Sequence, residues 1–201
     1  MKPEHQTDLA NFLQELQRET DRGLALVGAA VVDDKLRLTL SAFFIESSVV
    51  AKLIDQGNAP LGAFSARADA CLALGLIDDF EHSEITLVRK IRNEFAHGLH
   101  GTHFNTEPIK GYCSSLRSNL PEPDGQPKLG PRFRFTNSVV SLAMRLYYRP
   151  DWVARERRVA KEWVKADDVR WRSVVDEPPP TDKPIVGIAR PTVGERSGRD
   201  Q

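Results

Sequence analysis

The segment LRLTLSAFFIESSVV, Leu36 to Val50, does most to constrain how this chain can fold. Read at a period of 3.6 residues it is apolar almost all the way round, and a helix without a polar face has to be enclosed by other helices. The segment therefore predicts a long buried helix at the centre of a bundle. Thr20 or Asp21 can cap that helix, and the pattern carries it to about Ile54, where Gly57 and the run NAP stop it.

The rest of the chain agrees in type. No stretch alternates with a period of two and no internal repeat occurs, so the expected fold class is all-α, a multi-helix bundle. A first helix is expected over Thr7 to Glu19, with Leu9, Phe12, Leu13 and Leu16 as its apolar stripe. Ser65 can cap a short helix that carries Ala68, Cys71, Leu72 and Leu76. Asp78, followed three residues later by Glu81, has the capping-box spacing. It should open a helix whose core face is Phe80, Leu87, Val88, Ile91 and Phe95.

Four regions are expected along the chain. Residues 1–118 form a helical core, and the proline- and glycine-rich stretch 119–131 is a surface loop. Residues 132–172 are further basic helices packed on the core, and 173–201 are a tail too polar and proline-rich to fold. Within the third region Phe135 to Tyr148 reads as one helix, and Pro150 marks a junction. Asp151 to Lys165 reads as an amphipathic basic helix with Trp152, Val159 and Trp163 on one side, docked onto the bundle because the tryptophans need burial.

Charge excludes some functions. The 28 basic and 28 acidic residues cancel, which argues against a protein that binds nucleic acid mainly by neutralising phosphates. The distribution is uneven: through His100 there are 15 acidic side chains against 10 basic, and beyond it 18 basic against 13 acidic. Arg155, Arg157, Arg158 and Lys161 are accordingly the nucleic-acid candidates, for weak or indirect contact with DNA. The N-terminus MKPEHQTD has neither a basic nor an apolar signal region, and no run is long enough for a membrane span, so a cytoplasmic location is expected. Cys71 and Cys113 stand too far apart for a metal knuckle or a redox pair and read as buried thiols. No cofactor is implied. Asp33, Asp34, Lys35 and Arg37 read as a solvated charge run, and Arg67 and Asp69 as facing solvent or a groove beside the loop.

The chemistry-bearing stretch is RKIRNEFAHGLHG, Arg89 to Gly101. Arg89, Asn93 and His97 fall at i, i+4 and i+8, one polar stripe beside the apolar face, and Arg92 borders it. Two readings stand side by side. In the first, His97 occupies the last helical turn near the terminal carbonyls and Gly98 takes a left-handed position that ends the helix. Arg89, Arg92, Asn93, His97 and His100 are then candidates for binding a protein partner. In the second, Arg92 and His97 match the R-x4-H pattern of the HEPN ribonuclease superfamily, which this stretch resembles. That resemblance implies catalytic roles for Arg92, Asn93 and His97, the histidine activating a ribose hydroxyl and the arginine steadying phosphate. His97, His100 and His103 span a glycine-broken segment with no carboxylate or cysteine beside them, so no metal site is expected.

A broader resemblance covers about Asp21 to Cys113. The strings DRGLALVGAAVVDDKLRLTL, NAPLGAFSARADACLALGLI and LVRKIRNEFAHGLHG, followed by a phenylalanine and a later cysteine, are similar in content and order to the mannitol operon repressor family. The resemblance implies an all-helical cytoplasmic protein named for repression of a sugar-alcohol uptake operon. The family lacks an obvious helix-turn-helix, and so does this sequence. The expected function is therefore a non-enzymatic transcriptional regulator of repressor or co-regulator type, acting mainly through a regulatory protein partner, with a homodimer as a further expectation; the alternatives are a HEPN-like ribonuclease or its inactive relative, or a plain interaction module.

Overall fold

In a computed structural model the described residues are 11–12, 14–118 and 130–163. The chain divides into two units, Met1–Val159 and Ala160–Gln201. Every helix given below belongs to the first. The expected tail and most of the proline-rich loop lie outside the described residues, as do Leu9 and Leu13 of the first apolar stripe.

Among the described residues the fold is all-α. After a helical stretch over 14–18, α1 runs Asp21–Phe43, α2 Ser48–Ile54, α3 Phe64–Ala73 and α4 Asp79–His97. They are followed by α5 Ile109–Ser115, α6 Pro131–Tyr147 and α7 Arg149–Val153, with a single 3-10 turn at Ala154–Glu156. Helix α1 is the hub, packing against α3, α4, α6 and α7. Its start lies at the end of α4, where Arg22 donates to the Gly98 carbonyl, and beside the start of α6, where Arg132 pairs with Asp21. So α4 runs against α1 and α6 runs with it.

The central helix carries its buried residues as a stripe, and the reading of Leu36 to Val50 as one enclosed helix is corrected beyond Phe43, where the helix ends and Ile45 to Val49 are exposed. Leu24, Ala25, Gly28, Ala29, Val32, Leu36, Thr39 and Leu40 are buried, a stripe at helical spacing, while Leu26 and Val27 on the other side are more than a third exposed. The helix is also shorter than expected. Thr20 caps its start, accepting from the Gly23 amide, but the backbone turns extended at Phe44 and a second helix begins after Ser47, whose hydroxyl accepts from Val49. A serine that can cap a new helix offers the chain an alternative to continuing the old one. Val49, expected inside, is 55% exposed.

Close approach explains one glycine. A Cβ on Gly28 would stand 3.1 Å from both methyls of Val139, so glycine lets α1 and α6 touch along their backbones. Below that contact Phe95, Phe104 and Phe135 stack with ring centroids 4.9 and 5.3 Å apart, all three essentially unexposed.

Two boundaries differ from expectation. Helix α3 starts at Phe64 after Ala63, with no side-chain cap, so Ser65 lies inside it. Helix α6 starts at Pro131, which suits a first helical position because its missing N–H would have no partner there. Of the amphipathic helix expected over Asp151 to Lys165, only the start is helical among the described residues. Helical structure ends at Glu156, Arg157 donates to the Ala42 carbonyl and Glu46, and the Arg158 amide donates to Phe43. These donors satisfy carbonyls that the end of α1 leaves open, and a continued helix would withdraw them. Trp152 and Val159 are 64% and 83% exposed instead of docked.

Candidate functional site

Helix α4 carries both the firmest polar anchoring in the fold and the sequence motif, at opposite ends. At its start Asp78 accepts from the Glu81 amide at 2.7 Å and Glu81 returns to the Asp78 amide at 3.1 Å, so the capping box forms as the spacing predicts. Glu81 is buried and pairs with Arg149 of α7 at 2.7 Å. One turn on, the wholly buried Glu84 accepts from the Arg117 amide at 2.8 Å, from the Ser118 hydroxyl at 2.6 Å and from the Ser138 hydroxyl at 2.8 Å. A buried carboxylate is tolerated when its lone pairs are filled in this way. This end ties α4 to α6, α7 and the segment after α5. None of these long-range partners has a local spacing signal, and the sequence reading missed them.

The other end carries the motif. Successive residues step about 100° round the helix, which sorts the side chains of α4 into sectors. Ile85, Val88, Ile91 and Phe95 are buried. On one flank lie Arg92, Arg89 and Asn93, all half-buried, with exposed His97 beyond them. On the opposite flank Lys90 stands over the Tyr112 ring of α5, and Glu94 lies beside it. Among the described residues the side chains of Arg89, Arg92, Asn93 and His97 have no hydrogen-bond or ion-pair partner. His100 is exposed in the following loop, next to Leu99 at 85% exposure. The structure thus brings Arg89, Arg92 and Asn93 together on one flank, with His97 at the tip. Arg92 and His97, five residues apart, point about 140° away from each other round the helix.

The helix end itself departs from expectation. Gly98 has φ −65° and is not left-handed; positive φ occurs at Gly101 instead. Glycine at 98 answers to space, because a Cβ there would stand 2.2 Å from the Thr102 hydroxyl. The end is closed by the Gly98 amide donating to the Glu94 carbonyl and by Arg22 donating to the Gly98 carbonyl, so it needs nothing from the His97 ring.

The other sequence-derived candidates scatter. Arg155 lies over exposed Trp152 at 5.7 Å, Arg157 is committed to Glu46, and Lys161 belongs to the second unit. No shared helical stripe gathers them. Arg67, expected to face solvent or a groove beside the loop, turns to the loop and is the best-held arginine: it meets Asp33 at 2.9 Å and donates to the Leu61 and Ile54 carbonyls. Asp33 is thus no part of a solvated charge run; Arg37 bonds Asp34 and reaches Asp55, and its guanidinium pKa is raised chiefly by the Asp34 hydrogen bond. Asp69 pairs with His82 at 2.8 Å. Burial pushes the Cys71 and Cys113 thiols up to about 12, leaving both protonated and inert at neutral pH. Among the described residues no group of three potential ligands could hold a metal ion, and no helix is long and apolar enough to cross a membrane.

No family model and no curated protein matches the chain. Among solved structures the chain is similar to MtlR in the X-ray structure of the MtlR-HPr complex from Escherichia coli. The likeness has a TM-score of 0.50 at 21% sequence identity and covers 73% of this chain and 98% of that one. It is a likeness of fold.

Proposed function

We propose that this chain is a transcriptional regulator of repressor or co-regulator type, serving a sugar-alcohol uptake operon such as that for mannitol, and that it acts by binding HPr or an HPr-like protein. The single observation that supports this most is the fold it shares with a protein captured in complex with HPr, over nearly the whole of that protein. The resemblance of Asp21 to Cys113 to the mannitol operon repressor family, drawn from segment order, points the same way. The contact surface in this reading is the C-terminal flank of α4 with the loop after it: Arg89, Arg92, Asn93, His97 and His100. Two arginines unpaired among the described residues, with an exposed Leu99 in the loop that follows their helix, suit a partner surface that offers acids round an apolar patch. DNA contact is weak or indirect here, because the basic residues Arg155, Arg157, Arg158 and Lys161 share no helix that could enter a groove.

Titration calorimetry of the full chain with purified HPr tests the proposal. A saturable complex is expected, weakened by Arg92→Glu because a reversed charge at the contact repels what the arginine attracted. The absence of binding by the wild type would overturn the HPr reading. Sequence-selective duplex DNA binding at nanomolar affinity by the chain alone would overturn the indirect one.

A further inference from the structure

Seven arginines among the described residues are half-buried, and five reach a carboxylate: Arg37 to Asp34, Arg67 to Asp33, Arg132 to Asp21, Arg149 to Glu81 and Arg157 to Glu46. The two without an acceptor among the described residues are Arg89 and Arg92. They stand three residues apart on one helix, where side chains are neighbours and like charges repel. Asn93, about 40° beyond Arg89 on the side away from Arg92, is also half-buried and unpaired among the described residues. Partly removing two like charges from water and leaving both unmatched is unfavourable, and the other half-buried arginines among the described residues avoid it.

Among the described residues the acids of α4, with Asp33 and Asp69 on the helices that pack against it, lie elsewhere or have partners. Asp79, Glu81 and Glu84 lie at the other end of α4, and Glu94 is on the opposite flank with Lys90. Asp33 on α1 is held by Arg67, and Asp69 on α3 pairs with His82. Among the described residues the flank presents donors that no acceptor meets: two planar guanidinium forks and one amide between Arg89 and Asn93. One carboxylate is already satisfied by one fork, so two forks and an amide suit a tetrahedral, doubly charged oxyanion with more lone pairs to fill.

We infer that Arg89, Arg92 and Asn93 form a receptor for an oxyanion of the phosphate class, inorganic phosphate or a small phosphate ester. The inference rests on reading this flank as a contact surface and gives that surface a ligand chemistry, but it does not require HPr.

The test follows the melting midpoint of the full chain in inorganic phosphate, in glycerol phosphate and in chloride at matched ionic strength. Either phosphate should raise the midpoint saturably above chloride, and the stronger of the two identifies the source. Arg89→Gln with Arg92→Gln should remove the rise, and without phosphate that variant should melt no lower than the wild type, since repulsion has been relieved. Arg92→Lys keeps the charge but loses the fork, and should weaken the response about tenfold while leaving the fold intact, which holds the test open should the double variant fail to fold. Arg155→Gln should leave the response unchanged. A wild type that responds equally to phosphate and chloride overturns the receptor, as does a response that survives the double variant or vanishes with Arg155→Gln. HPr binding without a phosphate response removes the receptor and leaves the regulator reading; a phosphate response without HPr binding does the reverse.

Discussion

The two ends of α4 solve the same problem in opposite ways. At the start, Asp78, Glu81 and Glu84 are polar groups with every neighbour arranged to meet them, and two of the three are buried. At the end, Arg89, Arg92 and Asn93 are half-buried polar groups that meet no described residue, and His97 is exposed. Both ends share one continuous apolar face, Ile85 to Phe95, so packing does not explain the difference. A satisfied buried group holds a fold together, whereas an unsatisfied one costs stability and calls for another explanation. The contrast marks the first end as structure and the second as the surface to probe for function.

The comparison breaks most sharply if the shared face is less important than the ends. Phe95 is wholly buried against Phe104, and Phe95→Ala should cost about 3 to 5 kcal/mol by removing apolar contact and leaving a cavity. Urea denaturation measures it. A loss below about 1 kcal/mol would mean that the aromatic stack relaxes freely and that the two ends fold semi-independently.

The half of α4 that forms the structure was the more legible half, for a physical reason. A capping box is a relation between residues three apart, so Asp78 and Glu81 announced the helix start from sequence alone, while for α1 the sequence left Thr20 and Asp21 as alternatives and Thr20 is the cap. Partners far apart in the chain leave no such trace: Arg67 to Asp33 spans 34 residues and Ser138 to Glu84 spans 54. The break at Phe44 was signalled by Ser47, but a strong apolar run masked it. The helix expected over Asp151 to Lys165 stops at Glu156 because Arg157 and Arg158 are drawn to carbonyls at the end of α1, a tertiary demand that overrides helical pattern. At the motif, helical spacing showed which residues gather, but not that Arg89 and Arg92 meet no acceptor among the described residues.

Glu84→Ala sharpens the contrast next. It would strand the Ser138 and Ser118 hydroxyls and the Arg117 amide, and each buried donor left unmet costs about 1 to 3 kcal/mol. A net loss of about 3 kcal/mol is expected after water enters from the Ser118 side, again by urea denaturation. By contrast Arg92→Gln at the other end should change stability by less than about 0.5 kcal/mol, in either direction. Equal losses at both ends would erase the distinction between a structural end and a functional one.

The smallest effect is expected at His97, and it separates the two readings of the motif. The end of α4 is closed by the Gly98 amide on Glu94 and by Arg22 on the Gly98 carbonyl, so the exposed imidazole contributes at most an interaction with the helix dipole. His97→Asn should therefore shift stability by no more than about 0.5 kcal/mol. It should also leave nothing to lose in an RNA assay, because Arg92 and His97 diverge round the helix and the wild type should leave single-stranded RNA intact. Hydrolysis by the wild type, with 2′,3′-cyclic phosphate ends that disappear in both His97→Ala and Arg92→Lys, would reverse the argument. Proton transfer and phosphate contact would then be what keeps this end of α4 unpaired, and the flank would belong to a nuclease.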